Sequence, residues 1–216
     1  MLRKNYKILL CVLLSLCILS AVSCVTSVPE EKDVNFLGDF NPIQLENLMA
    51  LTHSNAGGIK PVEIRAYLVP RTNTVELYFR IFANEIALVL DKKTRDLIKV
   101  SAEEYLALYE ADNLPVREPS KKNAFIKGSV SVGWGLISPV RNATVPFWTN
   151  YEYLDNKPYF MINLNPAPDA NDTSAYSPSV NMYLSPSLLQ DYLELTDQTY
   201  LESIVTEYNS KAYTFE

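Results

Sequence analysis

Apolar positions along this chain change their period several times, and each change predicts an element. Between Phe36 and Leu51, the residues Phe40, Ile43, Leu45, Leu48 and Met49 fall at helix-like spacings, which predicts a short helix after Asn41-Pro42. Thr52 to Lys60, which contains Ser54-Asn55-Ala56-Gly57-Gly58, reads as a loop. The period then drops to two. Val62, Ile64, Ala66 and Leu68 alternate with Glu63, Arg65, Tyr67 and Val69, and Val75, Leu77, Phe79 and Ile81 alternate with Glu76, Tyr78 and Arg80. The turn Arg71-Thr72-Asn73-Thr74 puts both apolar sets on one face, so this is a β-hairpin, and Ile86 to Leu90 supplies a third strand. Asp91 to Val100 fits either a hairpin around Lys92-Lys93 or a helix capped by Asp91. Ser101-Ala102-Glu103-Glu104 has the form of a capping box that opens a helix with Tyr105, Leu106, Leu108 and Tyr109 inside.

After a Pro-containing linker from Asn113 to Lys122, the second half begins with a strand from Ile126 to Ile137. Val130, Val132, Trp134 and Leu136 share one face of it, and Ser129, Ser131, Gly133 and Gly135 share the other. Tyr151 to Leu154 and Tyr159 to Leu164 form a hairpin about Asp155-Asn156. Pro166 to Pro178 is a long polar loop, and Val180 to Leu184 a strand. Ser185 caps a helix with Pro186 at its first position, and Thr196-Asp197 opens a last helix with Tyr200, Leu201, Ile204, Val205 and Tyr208 on one stripe. The expected class is α+β: antiparallel sheet with helices packed on one face. Ile86 to Tyr109 and Val180 to Ile204 follow the same apolar pattern, which offers an internal duplication, with sheet-then-helix halves at 60–112 and 123–210. That arrangement resembles the repeated ββββα units of PUR and Whirly proteins, but without the basic charge that those nucleic-acid binders need.

The first residues change the picture from fold to address. Arg3, Lys4 and Lys7 precede an apolar run from Ile8 to Leu19, and the small residues Ala21 and Ser23 lead into Cys24. Charge, length and ending are those of a secretory signal peptide, and the apolar run is shorter than the roughly 20 residues a membrane span needs. Ala21-Val22-Ser23-Cys24 resembles the lipobox of bacterial lipoproteins, with Ala21 where Leu is usual. The resemblance implies cleavage after residue 23 and acylation of Cys24. Ordinary signal cleavage also fits Ala21-x-Ser23. The expected organisation is a signal peptide over 1–23, a lipidated cysteine and polar tether over 24–35, and one domain over 36–216. Fully extended, the tether reaches roughly 40 Å.

Cysteine use agrees with that address. Cys11 and Cys17 lie in the apolar run and leave with it, so Cys24 is the one cysteine of the mature chain and no internal disulfide is available. Cleavage also removes three basic residues, which carries the formal charge from −6 to −9. Such acidity opposes nucleic-acid phosphate, so membrane attachment falls to the acyl chains.

Catalytic chemistry is sparse. His53 is the sole histidine, which excludes a site built from several imidazoles, and it lies in the expected loop as a solvated side chain. No Gly-x-Ser-x-Gly, Walker loop or dinucleotide fingerprint is present. Asp169, Asn171 and Asp172 lack the spacing of a calcium loop. No catalytic residue, metal ligand or cofactor is therefore assigned. Phe147, Trp148, Tyr151 and Tyr153 follow a Pro-containing segment and form the candidate contact patch for a protein or glycan partner. The small-residue face of Ser129 to Gly135 permits close approach by a helix, another backbone or a ligand. Together these features predict a non-enzymatic, membrane-anchored lipoprotein of the bacterial envelope with a binding or assembly role. The alternative is a carboxylate-based hydrolase of envelope glycans.

Overall fold

The computed structural model describes residues 35–54 and 58–212. Its strands are β1 (Ile43–Gln44), β2 (Leu48–Ser54), β3 (Gly58–Val69), β4 (Thr74–Ile81), β5 (Asn84–Leu90), β6 (Ile126–Gly135), β7 (Arg141–Leu154), β8 (Lys157–Leu164) and β9 (Val180–Leu184). Among the described residues three α-helices and one 3-10 turn (Lys121–Asn123) complete the order: α1 (Lys92–Glu110) and then the 3-10 turn between β5 and β6, and α2 (Pro186–Thr196) and α3 (Gln198–Ala212) after β9. The expected signal peptide over 1–23, Cys24 and most of the expected tether lie outside the described residues.

Each strand from β2 to β9 pairs antiparallel with its sequence neighbour, and β2 also pairs with β9 through Leu51↔Tyr183, Thr52↔Met182 and His53↔Asn181. The eight strands therefore close into an antiparallel barrel, with β1 as a short continuation beside β3. Strand β3 makes closure possible through its length. Gly58–Ile64 pairs with β2, while Arg65–Val69 pairs with β4 on the other side.

This architecture overturns the α+β expectation of a sheet with helices on one face. The chain is mostly sheet, and the two expected halves contribute to one barrel instead of forming separate sheet-then-helix units. The reason lies in residues 43–54, read from sequence as a helix and a loop. Leu48, Ala50 and Thr52 point inward and are buried, so the true period is two. The outward residues Met49 and Leu51 are also apolar, which erases the alternation from the sequence. Closure removes the unpaired edges that an open sheet would expose.

Other expectations change locally. Asp91 caps α1, its Oδ1 accepting from the Thr94 amide at 2.7 Å, and the helix then runs unbroken to Glu110. Ser101 is thus buried inside a helix instead of opening one, and its hydroxyl donates to the Ile98 carbonyl at 2.9 Å. The β7–β8 turn is as expected, with Asp155 and Asn156 at φ 48° and 63°, the left-handed pair that a two-residue hairpin loop needs. Ser185 caps α2 with Pro186 in its first turn, and Asp197 Oδ1 accepts from Thr199 and Tyr200 at the start of α3.

The helices gather at the barrel end that carries the β3–β4 and β7–β8 turns. Tyr105 of α1 donates its hydroxyl to the Pro158 carbonyl, and Ile98, Ala102, Leu189, Tyr192 and Leu201 join the inward strand residues in one core. That core leaves a void of only about 10 Å³, lined by Leu77, Leu88, Ile98, Phe147, Ile162 and Tyr192. The space is below what one water needs, so the interior is packed solid.

One polar group ties the helix end together. Arg95 is buried and donates to the Asn73 carbonyl at 2.6 Å, to Asn73 Oδ1 at 2.9 Å, to the Leu90 carbonyl at 3.1 Å and to Gln198 Oε1 at 2.8 Å. It joins α1 to the β3–β4 turn, to the end of β5 and to α3. Burial lowers its pKa from the ordinary guanidinium value, and every hydrogen-bond partner is a neutral oxygen. Arg95→Ala strands those acceptors away from water, so urea unfolding should show a loss of about 2–4 kcal/mol. A loss below about 0.5 kcal/mol would show that the network carries no stability.

Candidate functional site

The aromatic cluster predicted as a contact patch does not form one. On β7 the inward set is Ala143, Val145, Phe147, Thr149 and Tyr151, so Phe147 and Tyr151 are core residues. The Tyr151 ring lies among Tyr105, Phe125 and Tyr153, under the Arg117 guanidinium 5.3 Å from its centroid, and its hydroxyl donates to the Pro115 carbonyl. Trp148 points outward but is only 9% exposed. Tyr153, at 38%, is the one member of the four with substantial exposure. The Pro-containing segment before Phe147 belongs to β7 from Arg141 onward. That segment is strand, and its alternation carries Phe147 and Tyr151 inward and Trp148 outward.

Trp148 belongs to a second, smaller cluster on the outer face of β7, β8, β9 and β2. Met161 and Tyr183 are fully buried there, with Leu51, Ala124, Leu154 and Tyr159 against them. The Tyr183 hydroxyl donates to Glu152 at 2.8 Å and accepts from Asn181 at 3.1 Å. Burial, then the Glu152 bond, raises its pKa, so it stays a protonated donor at neutral pH. His53 faces the same side, half-buried on β2 across from Asn181 and Ile59, and is a strand residue instead of a loop one. Among the described residues no hydroxyl or carboxylate is bonded to it, and no three His, Cys, Asp or Glu side chains gather as a metal would require. Glu103 and Glu104 sit exposed in the middle of α1.

Exposed apolar side chains collect at the barrel end away from the helices. The loop after β6 carries Leu136, Ile137 and Val140 at 69%, 84% and 74% exposure. Tyr176 and Pro178 of the β8–β9 loop face it across an open depression of about 890 Å³, with buried Trp134 and the polar Asn84 and Arg141 also in its lining. Phe82, exposed at the β4–β5 turn, adds to the same end. This is the mouth of the barrel. Scattered single apolar residues on a surface mean little, but several around one depression mark a contact surface.

The sequence builds this mouth as a fixed shape. A Cβ at Gly135 would lie 2.0 Å from the Ser138 carbonyl oxygen, and one at Gly133 would lie 2.8 Å from Pro139 Cβ. The β6–β7 loop thus folds back over Gly133 and Gly135, bringing the Pro139 ring against the first and the Ser138 backbone against the second. Opposite, buried Asp169 pins the polar loop to the start of β7. Its Oδ1 accepts from the Asn142 and Asn171 amides at 3.3 Å, and Ala170 N–H donates to the Asn142 carbonyl at 2.8 Å. Ala167 and Ser177 close the loop with two 2.9 Å bonds. Asp172 accepts from the Ser174 hydroxyl and amide, which chiefly hold its pKa below the usual carboxylate range, and Arg141 at 3.9 Å adds to this.

A second depression, about 390 Å³, lies between the β1–β2 connection and α2–α3, where Glu46, Asp191 and Glu194 line it with Tyr200.

Fold and site together define a closed, solid-cored antiparallel barrel that presents its chemistry on its outside. The chain belongs to the family described as "Uncharacterised Treponema protein", whose model matches residues 41–203. It is 27% identical over 197 residues to an uncharacterized protein of Treponema pallidum (strain Nichols), covering 90% of this chain and 70% of that protein. No solved structure matches.

If the folded-back loop shapes the mouth, Gly135→Ala should cost about 1–3 kcal/mol in urea unfolding and shift the amide resonances of residues 136–140. The exposed Ser131→Ala should stay within about 0.5 kcal/mol of the parent. Equal behaviour of the two variants would contradict the close approach.

Proposed function

We propose that this is a non-enzymatic binding protein of the bacterial cell envelope, anchored by acyl chains on Cys24 and working through the mouth of its barrel. The observation that carries the binding role is the grouping of Leu136, Ile137, Val140 and Tyr176 around one depression while the interior is filled. A barrel of eight strands has room for a small ligand only when its lumen is left open. Here it is closed by side chains, so recognition moves to the rim. The rim is also ordered in advance by Asp169 and by the close approach of Pro139 and Ser138 to Gly133 and Gly135, which lowers the entropy lost on binding.

Support for the anchor comes from the sequence: the basic start, the short apolar run and the small residues before Cys24. Among the described residues no helix is long and apolar enough to cross a membrane. The stretch after Cys24 is polar, and the chain enters the fold at the helix end of the barrel, where the Leu37 amide donates to the Pro70 carbonyl at 2.9 Å.

Mass spectrometry of the protein from its native membrane should find an acylated Cys24 as the first residue, and detergent phase partition should place the chain in the detergent phase. Cys24→Ser should move it to the aqueous phase. A parent chain found wholly in the aqueous phase with an unmodified cysteine removes the anchor.

A further inference from the structure

The seam that closes the barrel covers only part of β2. Leu51, Thr52 and His53 pair with β9, but β9 ends at Leu184 and the chain turns into α2 at Pro186. Earlier along the same run of chain, β1 and residues 48–50 have β3 as their one strand partner among the described residues. An antiparallel strand turns the backbone groups of alternate residues to opposite sides, so the side away from β3 keeps amides and carbonyls with no strand to bond. A bulge lies within this length: between the pairs Gln44↔Tyr67 and Leu48↔Ile64, Leu45, Glu46 and Asn47 face only Arg65 and Ala66. Among the described residues no hydrogen bond joins 43–50 to α2 or α3.

That open edge is one wall of the depression of about 390 Å³, and Leu188, Asp191, Glu194 and Leu195 of α2 with Tyr200 of α3 are the other. Met49 is exposed in it, and Leu188 and Tyr200 are half-buried. The charge of the groove has one sign. Residues 43–54 and α2 contain no Lys or Arg, and α3 contains only Lys211, held by Glu207 at 2.6 Å. Arg65, across from the bulge, is bound to Glu85, Lys99 to Asp197 and Arg71 to Asp39. The remaining cations stand on other elements, and none lines the groove. The carboxylates of Glu46, Asp191 and Glu194 have no ion-pair partner among the described residues, and Glu63 beside them accepts from the Asn47 amide at 2.8 Å. Burial, then the charges of Glu46, Glu194 and Glu207, raises the pKa of the Tyr200 hydroxyl. Among the described residues no three acids converge as a metal would require, so these charges are spread along the groove.

We propose that this groove docks an extended basic segment of a partner polypeptide, which adds as a strand to the free edge of residues 43–50 and sets Lys or Arg side chains against Glu46, Asp191 and Glu194. An added strand lies about 4.8 Å from its neighbour and takes the backbone bonds that β9 leaves unmade. Its side chains alternate between two faces, so basic residues on one face leave the other to lie on Met49, Leu188 and Tyr200. Separated carboxylates suit the separated cations of a chain better than one small ion. The backbone edge distinguishes this ligand from a polyamine, which brings charge alone. The site is at the opposite end of the barrel from the mouth and stands apart from the role given to the mouth.

A short peptide of alternating Lys and Val carries only the two features required, charge and a free backbone. With the whole chain in a neutral detergent, it should shift the amide resonances of residues 44–50 and 188–195. Its binding, read by the anisotropy of a labelled copy, should weaken as salt rises. N-methylation of the peptide amides keeps the charge and removes the donors, and should weaken binding about tenfold. Glu46→Gln with Glu194→Gln should also weaken it about tenfold. Glu104→Gln, at an exposed position on α1, should leave it unchanged. Circular dichroism melts confirm that each variant is folded. Absence of shifts at residues 44–50 with millimolar peptide overturns the docking site, as does unchanged binding by the Glu46 and Glu194 variant. Equal binding of the N-methylated peptide, or equal shifts from spermine, overturns the added strand.

Discussion

Everything in this structure depends on the pairing of β2 with β9. Three residue pairs, Leu51↔Tyr183, Thr52↔Met182 and His53↔Asn181, join the beginning of the fold to its last strand. Without them the sheet would have two long edges, each a row of unpaired amides and carbonyls open to other chains. With them every strand of the barrel has two neighbours. The seam is held on both faces. Inside, Ala50 and Met182 join the core, and outside, Leu51 rests on the buried Tyr183, whose hydroxyl is fixed by Glu152 and Asn181.

Closure also decides where function can be. A sheet curled on itself brings its inward side chains together, and here Phe79, Phe147 and Phe160, with Ile98, Tyr105 and Tyr192 from the helices, occupy the lumen completely. The helices seal one end, anchored by Arg95 and by the Lys99–Asp197 pair at 3.0 Å. The opposite end holds only connections between strands, and its two long ones are stiffened by glycine-backbone contact and by Asp169. Solid core, sealed end and ordered rim leave the mouth as the place where several exposed apolar side chains, Leu136, Ile137, Val140 and Tyr176, surround one depression. The proposed binding role follows from that partition of the molecule, and no single reactive residue supports it.

Much of the fold was legible because its signals are local. Strict alternation from Val62 to Ile81, the turn Asp155-Asn156 and the Ser185-Pro186 start of α2 each require only neighbouring residues to act. What failed depends on distant partners. Leu48 and Met49 look like one face of a helix until β3 is known to lie beside them, opposite Ile64 and Glu63, and Ser101 looks like a cap until Asp91 is seen to have started the helix earlier. Trp148 and Tyr151 looked like an exposed patch because strand β7 begins six residues before Phe147, where Pro146 suggests irregular chain. The mouth had a sequence signal that went unused. Leu136, Ile137 and Val140 follow the last small residue of the Ser-Gly face, where a strand ends and its apolar residues have no inward side to turn to.

The closed barrel is tested most directly by nuclear Overhauser contacts between backbone protons of residues 48–54 and those of 180–184. The account predicts cross-strand contacts joining Leu51–His53 to Asn181–Tyr183, with strand-like sequential contacts through residues 48–54. Helical contacts at three-residue spacing from Ile43 to Leu51, with none to β9, would contradict closure and with it the placement of the mouth.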